Sequence, residues 1–565
     1  MKALHHACIA GYACLSARSD LLDQINVFPV ADSDTGANLR ISLAPLQSCN
    51  GDKNLLIRQV LRSATGNSGN IAASFFSEFL LAENTDSLAG AAAAGRDRAW
   101  QAIAEPRQGT MLDVFDSLAG FLARKHVDSH SCAALCQCLQ DAVSATTAHL
   151  PDLRSAGVVD AGALGMYIFF EGFFGNLTAT DTRSVSLYTL FPGQLKIAAD
   201  FAQHLTGSHC VDTLIRPAQD GFDSQRLAAL GDSLVVVPDE DQIKIHIHTA
   251  DPQQLQQALS TFGEILRWSD ESLDHVQRPA DTAAPAIHLM TNAAGSLSRQ
   301  MARDHGITLL DSYIVTAAGS CPESLCQPED IYRQLAAGSK VSTAQASNFE
   351  RHQHYQNAVE QYGKTLYLCV GSAFTGNYAA ARAWQAQHDP ENLLEILDTG
   401  AASGRLAVIA LLTSRFARLA EKADAVLACA RRLCDECQEY VFIDTLRYLA
   451  AGGRISRAGG FFGDVLRMKP IISPQPEGVR KCGCVHSRQG QLAWACERFA
   501  KETDGWNEVL ALLQYSDNEA WIAGTVQPTV QRILPQAEIL RVPLSLTSGV
   551  HMGPGSWSLA FGRVS

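Results

Sequence analysis

The texture of this sequence changes twice, and no single hydrophobic core accommodates both changes. Up to about Thr180, alanine- and leucine-rich stretches such as SLAGAAAAGRDRAWQAI and SCAALCQCLQDAVSATTAHL carry helical periodicity, broken by glycine-bearing loops. From about Leu187 to Gln277 the chain turns β-rich. SLVVVPDEDQIKIHIHTAD reads there as two extended runs around a Pro-Asp-Glu-Asp turn. RPADTAAPA, Arg278 to Ala286, has proline, alanine and polar residues without periodicity and reads as a linker. Beyond it the apolar runs TLYLCV, LLEIL and EYVFI alternate with helical patterns, which predicts α/β architecture. A chain of 565 residues has room for several such domains.

Charge and apolar content exclude some functions. Lys+Arg is 45 against Asp+Glu 58, a net charge of −13, whereas a general nucleic-acid binder needs a dense basic surface. No apolar run reaches the ~18 residues of a membrane span. The greasiest stretch, Tyr167 to Leu177, is interrupted by Glu171 and is expected to end in a Gly-Asn turn. MKALHHACIAGYACLSA reads as a first helix rather than a leader, because His5 and His6 break its apolar stretch and a chemical motif follows almost at once. The 16 cysteines, irregularly spaced, suit a reducing cytoplasm. Cys434 and Cys437 form a CxxC, but inside a helical pattern where that spacing is common, with no second pair to complete a zinc site.

Two stretches carry chemistry by residue type. In INVFPVADSDTGANL, Asp32 and Asp34 flank a serine in a Pro- and Gly-bounded loop. Neighbouring carboxylates repel unless a hard cation lies between them, and Mg²⁺ takes a few carboxylates together with substrate phosphates. GNSGN (Gly66 to Asn70), GTMLD (Gly109 to Asp113) and GVVDAGALG (Gly157 to Gly165) add glycine turns whose backbone N–H groups can approach phosphate oxygens. In IKIHIHT, the isoleucines at 243, 245 and 247 share one strand face, and Lys244, His246 and His248 share the other. The two histidines are about 7 Å apart at Cα, close enough to converge on one metal, although such a pair on an exposed face is usually inert.

In their order, the aspartate loop and glycine turns resemble the nucleotide-binding domain of the dihydroxyacetone-kinase (DhaL-type) family, in the version found in fatty-acid kinase A. The resemblance spans roughly residues 1 to 180. It implies a barrel of antiparallel helices with ATP and Mg²⁺ at one rim. Asp32 and Asp34 would hold Mg²⁺ and, with Thr35, form the catalytic set. Asn26, Gly36, Asn38, Gly66, Asn67, Ser68 and Gly69 would bind the nucleotide, with Thr110 and Asp160 nearby. Asn26 stands where dihydroxyacetone kinases have a third aspartate, Ser33 where the family has glycine, and Thr65 where it has arginine. The β-rich segment resembles the middle domain of the same kinase. That domain has a Cys-His-His zinc site, which implies Zn²⁺ on Cys210, His246 and His248 in a structural or positioning role.

From about Ala286 the chain resembles the DegV family of fatty-acid-binding proteins. The motifs are KVSTAQAS, GSAFTGNYAAA, FIDTLRYLAAGGRIS followed by VLRMKPII, and GVHMGPGS. The resemblance implies a two-lobed α/β fold, with Thr343, Thr375, Gly376, Arg454 and His551 around an acyl carboxylate. Ala344, Ala346 and Asn377 depart from the family's residues, as does TNAAGSL at its opening. The expected division is a kinase domain over 1–185, an α/β middle domain over 186–280 and a DegV-like domain over 284–565. The expected activity is ATP-dependent phosphorylation of a fatty acid to an acyl phosphate, passed on to an acyltransferase at the membrane, by a cytoplasmic homodimer that binds no nucleic acid. A small-polyol kinase acting on dihydroxyacetone and a non-catalytic lipid sensor are the alternatives.

Overall fold

The computed structural model describes residues 2–29, 32–47, 52–180, 185–201, 209–218, 227–239, 241–272, 285–451 and 468–564. It divides into two compact units, residues 1–280 and 281–565. The expected classes are what it contains: a helical region, then α/β sheets.

At the centre of the first unit lies the helix Ala161–Thr178, buried from Ala161 to Gly175. A helix apolar on every side can only be central. Its rings at Phe169, Phe170 and Phe173 mesh with Phe75, Phe76 and Phe79 of the helix Gly66–Phe79. Phe115, from Met111–Leu122, stacks on Phe75 at 4.0 Å between centroids. The expected Gly-Asn turn is absent: Gly175 and Asn176 stay helical, and the helix stops at Ala179, whose φ is 54°. Packing of the aromatic face overrides the local turn preference. Among the described residues no helix is long and apolar enough to cross a membrane.

The sheet of the first unit has strands β1 (His209–Pro217), β2 (Asp232–Asp239), β3 (Gln242–Thr249) and β4 (Gly263–Ser272), in the antiparallel order β2-β3-β1-β4. Val211, Ile215, Ile245 and Ile247 pack under Leu255 and Leu259 of the helix Pro252–Phe262. The opposite face is not exposed, as a free-standing strand would leave it, because it lies against the helical region. Asp212 of β1 bonds to Gly66, and Val236 N–H donates to Ala102 O at 2.8 Å. Leu190 O and Gln194 O, in the stretch expected to open the middle domain, accept hydrogen bonds from Gln140 and Val159 of the helical region.

The second unit has an all-parallel sheet in the order Leu394–Asp398, Thr365–Cys369, His288–Asn292, Ile307–Leu310. Its mixed six-stranded sheet runs from Gly478–Val485 to Glu538–Pro543 through Lys469–Gln475, Gln438–Phe442, Trp557–Arg563 and Val509–Tyr515. The helix Ser403–Ala417 shares one core with Leu289 and Leu366 of the first sheet and Leu510 and Leu512 of the second. TLYLCV, LLEIL and EYVFI are strands of these sheets, and TLYLCV, buried throughout, suits a strand covered on both faces. Cys434 and Cys437 end the helix Ala423–Glu436 as free thiols. The linker expected over Arg278 to Ala286 lies, up to residue 284, outside the described residues.

Candidate functional site

Four helices begin at the residues singled out by the sequence. Asp34 is the N-cap of Thr35–Leu43, Thr65 of Gly66–Phe79, Thr110 of Met111–Leu122 and Asp160 of Ala161–Thr178. Close approaches between them put these starts side by side. Gly66 has φ +63°, and a Cβ there would lie 2.0 Å from Asn38 Nδ2, so only glycine fits. A Cβ on Gly165 would meet Leu39 at 2.6 Å, one turn into each helix, and one on Gly162 would meet Met111 at 2.6 Å. The starts therefore run Gly66, Thr35, Ala161, Met111 along one rim. Unsatisfied N–H groups and the positive dipole ends make such a rim attractive to anions.

Some rim side chains cap the helices they begin and others do not. Asp160 Oδ1 accepts from Ala163 N–H at 2.7 Å, and burial pushes its carboxyl up to about 7. Thr110 Oγ1 accepts from Leu112 N–H at 3.4 Å. Both were expected near the nucleotide; both lie on the rim with these side-chain oxygens in helix caps. Asp34, by contrast, makes no side-chain cap bond. Asp32 Oδ1 accepts from Asn26 Nδ2 at 2.6 Å, while burial and the neighbouring Asp34 push its carboxyl well above the ordinary range. That repulsion between close carboxylates is what a divalent cation relieves, so the pair fits Mg²⁺. Ser33 has φ 58°, the left-handed region that explains the family's glycine here, at a cost of about 1–2 kcal/mol to serine. Thr35, Gly36 and Asn38 occupy the first turn behind Asp34, and Ser68 Oγ bonds to Thr35 O at 3.5 Å. Asn67 and Gly69 complete the first turn of the helix Gly66–Phe79.

In the sheet, Cys210 on β1 stands opposite His248 on β3, and Asp212 opposite His246. One ligand atom from each of Cys210, His246 and His248 lies within 4.8 Å of the others. Both histidines are buried, and His246 Nε2 and His248 Nδ1 have no hydrogen-bond partner. Burial, then His246, pushes the His248 imidazole down to about 3, which keeps it neutral as a ligand must be. These orphaned nitrogens beside a thiol fit Zn²⁺. Burial raises the Cys210 thiol, and the Asp212, Asp34 and Asp32 carboxylates raise it further.

Asp212 is the residue the sequence did not disclose. Its Oδ2 accepts from Gly66 N–H at 3.0 Å and from Thr65 Oγ1 at 3.2 Å. Gly66 N–H, expected to face a phosphate, is thus engaged by a carboxylate. No spacing rule links residues 146 apart.

In the second unit, Thr343 Oγ1 and His551 Nε2 are 3.1 Å apart although 208 residues separate them. Thr375 Oγ1 accepts from Asn377 N–H at 3.3 Å, and Gly376 caps the helix Asn377–His388. Arg351, buried and not anticipated, joins the two groups: it donates to Gln345 Oε1 at 2.6 Å, on the Thr343 strand, and to Asn377 Oδ1 at 3.0 Å. Arg454 lies outside the described residues.

Glu323 anchors the helix Leu546–Met552, which carries His551. It accepts from Thr547 N–H at 2.9 Å and from Thr547 Oγ1 at 2.6 Å. Burial pushes its carboxyl up to about 7, although both bonds favour the charged form. Between the ordinary value of 4.5 and about 7, the folded chain holds a proton that the unfolded chain has released. Stability therefore falls as pH rises through that window. Glu323→Gln keeps an acceptor for Thr547 and is expected to flatten this slope. Urea unfolding at the two ends of the window measures it, and equal slopes for native and variant would contradict the assignment.

Residues 29–175 match the DAK2 domain, residues 208–277 the middle domain of fatty-acid-kinase-A-like proteins, and residues 286–563 the DegV family, described as uncharacterised. One chain thus carries all three. It is 27% identical over 317 residues to Protein YloV of Bacillus subtilis, covering 49% of this chain and 57% of that protein. It is 27% identical over 300 residues to an uncharacterised protein of Staphylococcus haemolyticus, covering 48% and 54%. The chain spans about half the length of the curated relatives it matches. Similar solved structures include a DegV family protein from Thermus thermophilus, titled for fatty acid binding (TM-score 0.46, 24% identity, 49% of this chain and 99% of that one). Another is DegV of Bacillus subtilis, titled a fatty acid binding protein (TM-score 0.46, 16% identity, 49% and 99%).

Proposed function

We propose that this chain, which joins a DAK2 domain, a fatty-acid-kinase-A-like middle domain and a DegV domain, is a self-contained fatty-acid kinase. It makes an acyl phosphate from ATP and a fatty acid held in its own DegV domain. The observation that carries this reading is the rim of helix starts beside the close Asp32–Asp34 pair, on the same polypeptide as the DegV domain's Thr343–His551 pair. Each residue role that follows belongs to the proposal.

A fatty acid's carboxyl is ionised at neutral pH, so the acceptor needs no general base. The difficulty is bringing two anions together. The helix starts, with N–H groups of Asn67, Ser68 and Gly69 and the hydroxyl of Thr35, offset the phosphate charge. Mg²⁺, when held by Asp32 and Asp34, supplies the remaining positive charge. Cys210, His246 and His248 would hold Zn²⁺, which would supply a structural tie between β1 and β3. Thr343, Thr375, Gly376 and His551, with Arg454, hold the acyl carboxylate by charge-assisted and hydroxyl hydrogen bonds. Burying a sixteen-carbon tail contributes on the order of 10 kcal/mol at ~0.8 kcal/mol per CH₂, which is why the acceptor needs a carrier domain at all. The product is an activated acyl donor for an acyltransferase at the membrane surface, and a cytoplasmic homodimer is the proposed working form.

The test is Mg²⁺-dependent ADP release by the full chain with a long-chain fatty acid or with dihydroxyacetone. Stimulation by the fatty acid alone is expected. Stimulation by dihydroxyacetone alone would make it a polyol kinase, and tight lipid binding without ADP release a sensor.

A further inference from the structure

Asp212 touches both the metal-ligand trio and the phosphate-facing helix, and among the described residues of β1 and β3 no other is bonded to both. We infer that Asp212 is a positioning residue that couples metal occupancy at Cys210, His246 and His248 to nucleotide binding at the helix start Gly66–Phe79. The inference rests on the kinase reading above.

On one side, the helix Gly66–Phe79 begins at Thr65, whose own hydroxyl makes no cap bond to the first turn. Asp212 supplies the missing acceptor from the sheet. Its Oδ2 takes Gly66 N–H at 3.0 Å and Thr65 Oγ1 at 3.2 Å, and its Oδ1 takes Asn70 Nδ2 at 3.3 Å. A carboxylate at a helix N-terminus satisfies an orphan donor and complements the dipole, so it fixes the pitch at which the remaining N–H groups meet a phosphate. On the other side, Oδ1 lies 3.4 Å from His246 Nδ1. A carboxylate on one ring nitrogen fixes the tautomer and orientation of a ligating histidine, leaving the other nitrogen for the metal. Here Nε2 is buried and without a partner, while Nδ1 faces both Asp212 and, at 4.0 Å, the Cys210 thiol, so the carboxylate orients the ring from inside the trio.

Because one carboxylate serves both sides, the His246 ring and the start of the helix cannot vary independently. A metal that locks His246 locks Asp212, and Asp212 holds Thr65, Gly66 and Asn70. Such a coupling is reciprocal: if zinc tightens ATP binding by some factor, ATP tightens zinc binding by the same factor.

The experiment uses the full chain as native protein, Asp212→Asn and Thr65→Val. Zinc affinity is measured by competition with a chromophoric chelator, with and without ATP. Affinity for a fluorescent ATP analogue is measured with and without zinc. The native chain is expected to show a coupling of at least about 5-fold, equal in both directions. Asp212→Asn should bind zinc about 10- to 100-fold more weakly and lose the coupling. Thr65→Val, which leaves the metal side intact, should keep native zinc affinity and show reduced coupling, so it carries the test if Asp212→Asn fails to fold. ATP binding with native coupling in both variants would overturn the relay and leave the kinase reading standing. A native chain that binds zinc and no ATP would overturn the kinase reading, and the relay with it.

Discussion

Asp34→Asn and Asp32→Asn are each expected to lower Mg²⁺-dependent phosphoryl transfer by about a thousandfold or more, with no loss of folding stability. The two halves of this expectation have one cause. Asp32 and Asp34 are like charges in one half-buried loop, and burial together with the neighbouring Asp34 raises the Asp32 carboxyl well above its ordinary range. In the metal-free chain that repulsion opposes folding, so removing either charge relieves it. Asparagine is also as good an N-cap as aspartate, and Asp34 makes no side-chain cap bond that the change could break. What asparagine cannot supply is the full negative charge that holds a hard cation against triphosphate, an interaction contributing several kcal/mol in the transition state. Thermal melts beside ADP-release assays separate the two quantities. A variant that melts earlier and loses activity only in proportion would make the pair a structural turn. Near-native turnover in either variant would remove Mg²⁺ from this loop.

The sequence was most legible where one short segment holds the whole chemical unit. The aspartate loop, the glycine turns and the alternation of IKIHIHT each depend on neighbours within a few residues. In the structure they are helix starts along a rim and one face of β3. The sheet classes were readable because an apolar run covered on both faces and an alternating strand differ in pattern. What stayed hidden was set by distant pairing. Asp212 reaches Gly66 across 146 residues, so no periodicity marks it, and its effect is to take an N–H expected for phosphate. The burial of His246 and His248 follows from the helical region covering a face that a lone hairpin would expose. Arg351, the buried cation between Gln345 and Asn377, reads in sequence as an ordinary helix residue. The Gly-Asn at 175–176 misled for the converse reason: a strong local signal yielded to the aromatic packing of Ala161–Thr178.

The second large effect concerns the fusion. When kinase and carrier are tethered, the acceptor meets the rim at an effective concentration in the millimolar range, provided the connection spans the sites. The intact chain is therefore expected to make acyl phosphate from ATP and fatty acid without any added carrier, with turnover per chain constant on dilution until any dimer dissociates. Cleavage between the two compact units, near residues 280 and 281, should turn the same chemistry into a bimolecular reaction whose rate rises with the concentration of freed DegV domain. At nanomolar protein the tether then represents about a millionfold in acceptor concentration. The decisive measurement is hydroxylamine trapping of the acyl phosphate across a dilution series of intact and cleaved protein. A self-contained kinase gives constant acyl hydroxamate per intact chain and a yield that falls with dilution once cleaved. An intact chain that yields none until a separate DegV-type protein is supplied would contradict it.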